Sequence, residues 1–219
     1  MILGEPKKMY KKINEMAFRG TTTVGAISKD GVVLASDTRV TMGSLIVHKR
    51  GKKVYKIDNH LAMTISGVVA DAQRTVEILK TNAKMYSLER KFPMPVSAAA
   101  RLVANLFFSN RFFPYVAQII IGGVDSSGPH IFTIDPFGSI TEEKNVATGS
   151  GSPIAYGVLE QKYREDLPLQ EVLQIVVQSI TSAMKRDAAS GDSFDVSVID
   201  EKGYRELSAE EKEKILAAF

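Results

Sequence analysis

An α+β domain, with antiparallel sheets and helices layered outside them, is the fold class that this sequence predicts. Three observations carry the prediction. Strand-like and helix-like segments come in separate runs: strands, two helices, strands, two helices, strands. Strands that do not alternate singly with helices disfavour a doubly wound parallel sheet and favour antiparallel sheets with packed helices. The chain of 219 residues is long enough for one substantial core and short for two, and it shows no fixed-period repeat and no linker, so one domain is expected.

The elements follow in chain order. Residues 22–28 (TTVGAIS) and 32–36 (VVLAS) are short apolar runs joined at Lys29-Asp30-Gly31, and Asp-Gly between two such runs is a strong hairpin signal. Strand-like pieces continue at 45–48, 53–57 and 61–66. The period then changes. Ala72, Val76, Leu79, Ala83 and Tyr86 recur at helical spacing, Pro93 and Pro95 punctuate, and a second helix is predicted from about Val96 to Phe108. Strands return at 116–121, 130–135 and 139–141, with Gly122-Gly123 and Ser127-Gly128-Pro129 as breaks. In Thr148-Gly149-Ser150-Gly151-Ser152-Pro153, Ser152 suits an N-cap and Pro153 the first helical position of a helix to about Tyr163. Another helix runs from Leu169 to about Arg186. The alternating strand 194–198, a turn at Lys202-Gly203 and a short helix at 208–217 close the chain.

Composition narrows the function. Apolar residues make up 44% and charged residues 24%, an ordinary globular balance. No apolar run is long enough to span a bilayer, and the N-terminus has no apolar segment of the secretory type. With no cysteine there are no disulfides, thiol nucleophiles or thiolate metal sites, which fits a cytoplasmic protein. The net charge is +3, and Lys7, Lys8, Lys11, Lys12 and Arg19 against Glu5 and Glu15 account for the whole excess. A nucleic-acid binder would carry its basic patch on the folded body, so a nucleic-acid partner is not expected.

Most familiar catalytic patterns are absent. His48, His60 and His130 form no closely spaced ligand pair, so no metal site is predicted. There is no phosphate-binding glycine loop and no nucleophile elbow. What remains is Gly20-Thr21-Thr22-Thr23-Val24-Gly25. By itself this reads as a β-branched strand start after a glycine. A threonine hydroxyl is a poor nucleophile without a base beside it, but an N-terminal threonine carries one in its own α-amine. That amine has a reference pKa of about 7.7–8.0, so much of it is neutral near pH 7. Cleavage after Gly20 would expose it. A glycine there adds no bulk if Thr21 must attack its own preceding carbonyl.

Six stretches give these residues a family context: TTTVG at 21–25, LASDTRVTMG at 34–43, GKKVYKID at 51–58, TISGVVADAQ at 64–73, ATGSGSPIAYGVLE at 147–160 and RDAASGDSFDV at 186–196. In this order they resemble archaeal proteasome β subunits from Thr21 to about Tyr204. The resemblance implies a four-layer αββα sandwich of the N-terminal nucleophile hydrolase type and a threonine endopeptidase. Residues 1–20 would be a propeptide removed by autocleavage between Gly20 and Thr21, and 21–219 the peptidase domain. Thr21 matches the catalytic threonine, Lys53 the active-site lysine and Asp37 the acid that holds it. Asp187 and Ser190 match the supporting pair, and Ser150 the serine near the threonine amine. Gly67 matches the position whose backbone N–H faces the oxyanion. The substrate pocket would include Val40, Thr41, Tyr55, Ile65, Val69 and Gln73. These carry no fixed charge, so a chymotrypsin-like preference is expected.

The resemblance further implies heptameric rings of β subunits, capping rings of α subunits, a regulatory ATPase and unfolded polypeptide substrates, with no cofactor. It does not extend to the leader before Gly20 or to the tail from about Leu207. Alternatives stay open on the sequence. They are a non-cleaving structural β subunit whose Thr21 remains masked, a bacterial-type HslV peptidase, and an unrelated N-terminal nucleophile amidase.

Overall fold

The computed structural model describes residues 20–218. The leader expected at 1–20 lies, apart from Gly20, outside the described residues. The first sheet is built around a hairpin of β1 (Thr22–Ser28) and β2 (Gly31–Asp37). Its tight turn is Lys29-Asp30, because Ser28 already pairs with Gly31. Gly31 is a strand residue there, and the backbone of Ile199 and Asp200 lies too close for a Cβ. A two-stranded ribbon follows, β3 (Val40–Met42) with β4 (Leu45–His48). Next come β5 (Val54–Asp58), β6 (Leu61–Gly67), α1 (Val69–Arg90) and α2 (Val96–Ser109). The chain then returns to strands: β7 (Ala117–Asp125), β8 (Gly128–Ile134), β9 (Ile140–Glu143) and β10 (Asn145–Gly149). The helices α3 (Ser152–Lys162) and α4 (Leu169–Met184) precede β11 (Phe194–Asp200), β12 (Gly203–Glu206) and α5 (Ala209–Leu216).

Two five-stranded sheets result, in the orders β10-β1-β2-β11-β12 and β5-β6-β7-β8-β9, and every pairing in them is antiparallel. Three apolar clusters explain why they stack. Val32, Leu34, Val146 and Ile199 of the first sheet meet Val54, Ala62, Ile120 and Ile131 of the second. The other face of the second sheet packs on α1 and α2 through Leu79, Val103 and Phe107. The other face of the first packs on α3 and α4 through Leu159, Val172, Val176 and Ile180. Each strand alternates its side chains between an inter-sheet and a helix-facing surface. With both surfaces covered, the predicted helix–sheet–sheet–helix layering is the observed architecture.

Toward one end of the sandwich the inter-sheet layer turns polar. Thr23 and Thr148 hydroxyls lie 2.7 Å apart, and those of Ser66 and Thr148 3.1 Å apart. The buried Ser36 and Thr64 hydroxyls have no partner among the described residues. This polar end is where the candidate site lies.

Some boundaries differ from the sequence reading. Gly122 and Gly123 do not break a strand but sit inside β7, where the missing side chain lets Val32 and Leu34 of the opposite sheet pack against Gly122. Thr148 and Gly149 close β10, a strand the sequence reading did not assign. Ser152 is the first residue of α3, and Gly151 takes the cap position without a side-chain hydrogen bond. The helical turn starts one residue earlier than Pro153 suggested, because a proline is tolerated anywhere in the first turn. The last hairpin turns at Glu201-Lys202, and Gly203 opens β12, a strand the sequence did not announce. At the C-terminal end Ser208 accepts from Glu211 N–H at 3.2 Å while Glu211 accepts from Ser208 N–H at 2.8 Å. This reciprocal cap ties down the start of α5. Among the described residues no helix is long and apolar enough to cross a membrane.

Candidate active site

The site is built where β1 begins. Thr21 is 5% exposed, and its hydroxyl donates to the Gly20 carbonyl oxygen at 2.5 Å. Two features hold this short approach. Gly20 has φ +99°, a backbone region that favours glycine. Gly149, paired with Thr22 at the end of β10, has φ +88°, and a Cβ there would overlap the Thr21 carbonyl oxygen.

Beside Thr21 lies a buried ion pair. Lys53, immediately before β5, donates from Nζ to Asp37 Oδ1 at 2.7 Å and to the Arg39 carbonyl oxygen at 2.6 Å. Asp37, the last residue of β2, also accepts from Thr22 N–H at 2.9 Å, Arg39 N–H at 3.0 Å and Gly191 N–H at 3.1 Å. One carboxylate thereby ties β1, β2, the approach to β5 and the loop after α4 together. Burial pushes the Asp37 carboxyl up, against the pull of Lys53 and the N–H groups of Thr22 and Gly191. Burial pushes the Lys53 ammonium down, and Asp37 resists that shift. Both shifts lean toward the neutral forms, as desolvation requires.

A hydroxyl–carboxylate chain also reaches Thr21. The Ser150 and Ser190 hydroxyls both donate to Asp187 Oδ2 at 2.6 Å. The Ser150 hydroxyl also lies 3.4 Å from the Thr21 carbonyl oxygen and accepts from Gly20 N–H at 3.4 Å. Ser190 continues to the Thr22 hydroxyl at 2.7 Å. Asp187 and Ser190 belong to the turn that leaves α4, where Asp187 N–H still bonds to Ala183 and Ser190 N–H to Asp187. Residues more than a hundred positions apart in the chain thus surround Thr21 and Thr22.

Thr21 opens into a cleft of about 1100 Å³. All six residues expected for the substrate pocket, Val40, Thr41, Tyr55, Ile65, Val69 and Gln73, line it, together with Lys53 and Gly67. Gly67 has φ +131° at the end of β6, and a Cβ there would overlap the Val116 carbonyl oxygen, so the β6–α1 junction requires a glycine. Tyr55 is fixed by a 2.7 Å hydrogen bond from its hydroxyl to the Lys52 carbonyl oxygen.

Sequence reasoning missed part of this surface. Met42, His48, Lys49, Arg50, Lys52 and Ala72 also line the cleft. The run His48-Lys49-Arg50-Gly51-Lys52-Lys53 was the available signal. The Thr22 hydroxyl was missed as well, since a middle threonine in Thr-Thr-Thr reads as a strand residue. Arg39 does not claim Asp37 through its side chain; its guanidinium pairs with Asp192 at 2.8 Å.

Comparison with known proteins places the chain in a family. A model of the family described as "Proteasome subunit" matches residues 17–199. The chain is 51% identical to "Proteasome subunit beta" of Ferroglobus placidus over 93% of this chain and 98% of that protein. It is 49% identical to "Proteasome subunit beta" of Archaeoglobus fulgidus over 94% and 98% of the two chains. It is 51% identical to "Proteasome subunit beta 2" of Aeropyrum pernix over 85% of each. A family match across most of the described fold, with relatives near half identical along almost their whole length, leaves one conclusion: the chain belongs to the proteasome subunit family.

Proposed function

We propose that this chain is a catalytic β subunit of a proteasome core particle, a threonine endopeptidase with Thr21 as its nucleophile. The observation that carries the reading is the convergence on Thr21. Its hydroxyl lies 2.5 Å from the Gly20 carbonyl oxygen, and the Lys53–Asp37 pair is tied to the neighbouring Thr22 N–H through Asp37. Ser150 of the Ser150–Asp187–Ser190 chain reaches the Gly20 N–H and the Thr21 carbonyl.

Maturation follows from that arrangement. Thr21 Oγ attacks the Gly20 carbonyl carbon, the C–N bond to Thr21 breaks as the hydroxyl proton passes to the departing nitrogen, and the Gly20 acyl group moves to Oγ as an ester. Water then hydrolyses the ester, releasing residues 1–20 with a C-terminal carboxylate and leaving Thr21 with a free α-amine. In the mature site that amine takes the Oγ proton as the hydroxyl attacks a substrate carbonyl. The Lys53 ammonium lowers the energy of the developing negative charge on Oγ. Ser150, Asp187 and Ser190 orient the amine and a proton-carrying water. The Gly67 N–H stabilises the oxyanion, a contribution of ~3 kcal/mol for a preorganised donor. No cofactor or metal enters these steps.

The side chains Val40, Ile65, Val69 and Ala72 give the pocket an apolar wall, which supports a chymotrypsin-like preference for apolar residues before the cut. A survey of fluorogenic peptides tests this; faster cleavage after acidic or basic residues would overturn it. The family supports assembly into heptameric β rings under α-subunit rings in the cytoplasm. Unfolded polypeptides, threaded by a regulatory ATPase, are then the substrates.

The deciding experiment is the intact mass and N-terminal sequence of the chain, alone and after assembly with its α subunits. A chain starting at Thr21, with Thr21→Ala remaining full length, is the expected result. A wild-type chain still starting at Met1 after assembly would leave Thr21 without its base, and the structural-subunit reading would replace this one.

A further inference from the structure

The cleft beside Thr21 is lined by five residues of a basic run, Lys49, Arg50, Lys52, Lys53 and His48, and by no aspartate or glutamate. Two of these charges are already matched. Lys53 pairs with the buried Asp37, and Lys52 Nζ pairs with Glu206 at 2.8 Å. Among the described residues Lys49 and Arg50 have no carboxylate within ion-pair distance. Asp192, whose carboxyl feels the Lys49 charge, is itself paired with Arg39 at 2.8 Å.

The backbone carrying these two side chains is held in place. The Thr38 hydroxyl donates to the Lys49 carbonyl oxygen at 2.7 Å, and Gly51 N–H donates to the Thr38 carbonyl oxygen at 2.7 Å. Thr38 directly follows Asp37, so the two unmatched cations stand on a frame tied to the ion pair next to Thr21.

The side of the cut that they face can be read from Gly20, which precedes the bond to Thr21. A Cβ on Gly20 would meet Thr41 Oγ1 at 2.7 Å, so the residue on the N-terminal side of that bond lies against β3. The β3–β4 ribbon leads directly into Lys49 and Arg50. A substrate bound as Gly20 is bound would lay the residues upstream of its cut along this ribbon.

We propose that Lys49 and Arg50 form a subsite for an acidic side chain of the polypeptide substrate, a few residues upstream of the apolar residue at the cut. The proposal rests on the peptidase reading for the choice of bond. Its chemistry is attraction between a carboxylate and two uncompensated cations in a partly walled cleft, where field lines concentrate but salt still screens. Arg50 supplies the forked donors that match a carboxylate, and Lys49 a second point charge.

The test uses the assembled particle and paired fluorogenic peptides with one apolar residue before the reporter. The members of a pair differ only by Glu for Gln at the second, third or fourth residue from the cut. The expected result is a kcat/KM ratio, Glu over Gln, of roughly threefold to tenfold at low salt for at least one position, falling toward one in high salt. In Arg50→Gln and Lys49→Gln the ratio falls toward one. A ratio of one at every position with ready cleavage of both peptides overturns the subsite and leaves the peptidase reading intact. Binding of the same peptides, made uncleavable by a reduced bond at the cut, to the assembled mature particle, read by fluorescence anisotropy, decides the subsite without turnover. Tighter binding of the Glu member, lost on Arg50→Gln, supports it, and equal binding overturns it.

Discussion

At the scale of single residues, the Lys53–Asp37 pair bears on stability and, in the proposed peptidase, on chemistry. Two charges this well buried attract strongly but are expensive to desolvate, so breaking the pair costs more than the pair itself contributes. Lys53→Ala leaves Asp37 with its backbone donors but without its counter-charge. The subunit is expected to lose about 3–5 kcal/mol in denaturant unfolding. Peptide hydrolysis by the assembled particle is expected to drop by about a hundredfold or more, the range for loss of a group that assists proton transfer. The double variant Asp37→Ala/Lys53→Ala separates the two effects. Part of the lost stability returns because no buried charge is left unmatched, while hydrolysis stays at the level of the single variant. Recovery of hydrolysis in the double variant would mean that Lys53 acts only through packing.

Elements come next, and the end of β10 is the most sensitive. Gly149 pairs with Thr22 and lies against the Thr21 carbonyl. Gly149→Ala adds a Cβ into that carbonyl and asks alanine to hold φ +88°. The expected outcome is a folded chain whose Thr21 is displaced, so release of the leader slows by an order of magnitude or more; mass spectrometry over time reads it. Wild-type processing kinetics in this variant would show that the strand end relaxes freely. At the end of α3, Tyr163 donates its hydroxyl to the Ile27 carbonyl oxygen of β1 at 2.9 Å. Burial, with the charges of Glu165 and Asp166, pushes its phenol up to about 12. A phenol kept neutral by the fold adds stability that is complete below the unfolded pKa near ~10, and that is lost as pH rises from there through the folded value. Melting temperature is therefore expected to fall steeply between pH 10 and about 12. Tyr163→Phe starts about 1 kcal/mol lower, having lost one hydrogen bond, and shows a shallower alkaline limb. Some slope remains, because burial also pushes the Tyr204 phenol up.

For the whole molecule, stability rests on apolar layers, and the proposed chemistry sits at the polar end of the middle one. Leu34 is fully buried between the sheets among Val32, Ile120 and Ile131. Leu34→Ala is expected to cost about 2–5 kcal/mol in urea unfolding of the subunit, since two stacked sheets cannot both move to close the gap. A loss below 1 kcal/mol would show that the sheets collapse around the cavity. The layering itself was legible in the sequence, because runs of strands followed by runs of helices leave few other ways to cover both faces of two sheets. The strand role of Gly122, Gly123 and Gly149 was not. A glycine reads locally as a break, and here each sits where another part of the chain approaches too closely for a side chain.

The candidate site divides along the same line. Thr21 stood out as a possible nucleophile from its own chemistry and the glycine before it, and the family stretches named its partners. Which of two adjacent lysines turns inward was a matter of tertiary structure. Neighbours on an extended chain point to opposite sides, so one of Lys52 and Lys53 must face out. The resemblance named Lys53, and the physical reason for it lies in the strand pairing. The pairing of the segment with β6, through Ile65 N–H on the Lys53 carbonyl oxygen at 3.1 Å, sends Lys53 to Asp37. Lys52 is left to Glu206 at the surface. The same holds for Lys49 and Arg50. Their charge is written in the sequence, but a charge gains a role only when folding settles which carboxylates stand near it, and folding leaves these two unmatched beside the cleft.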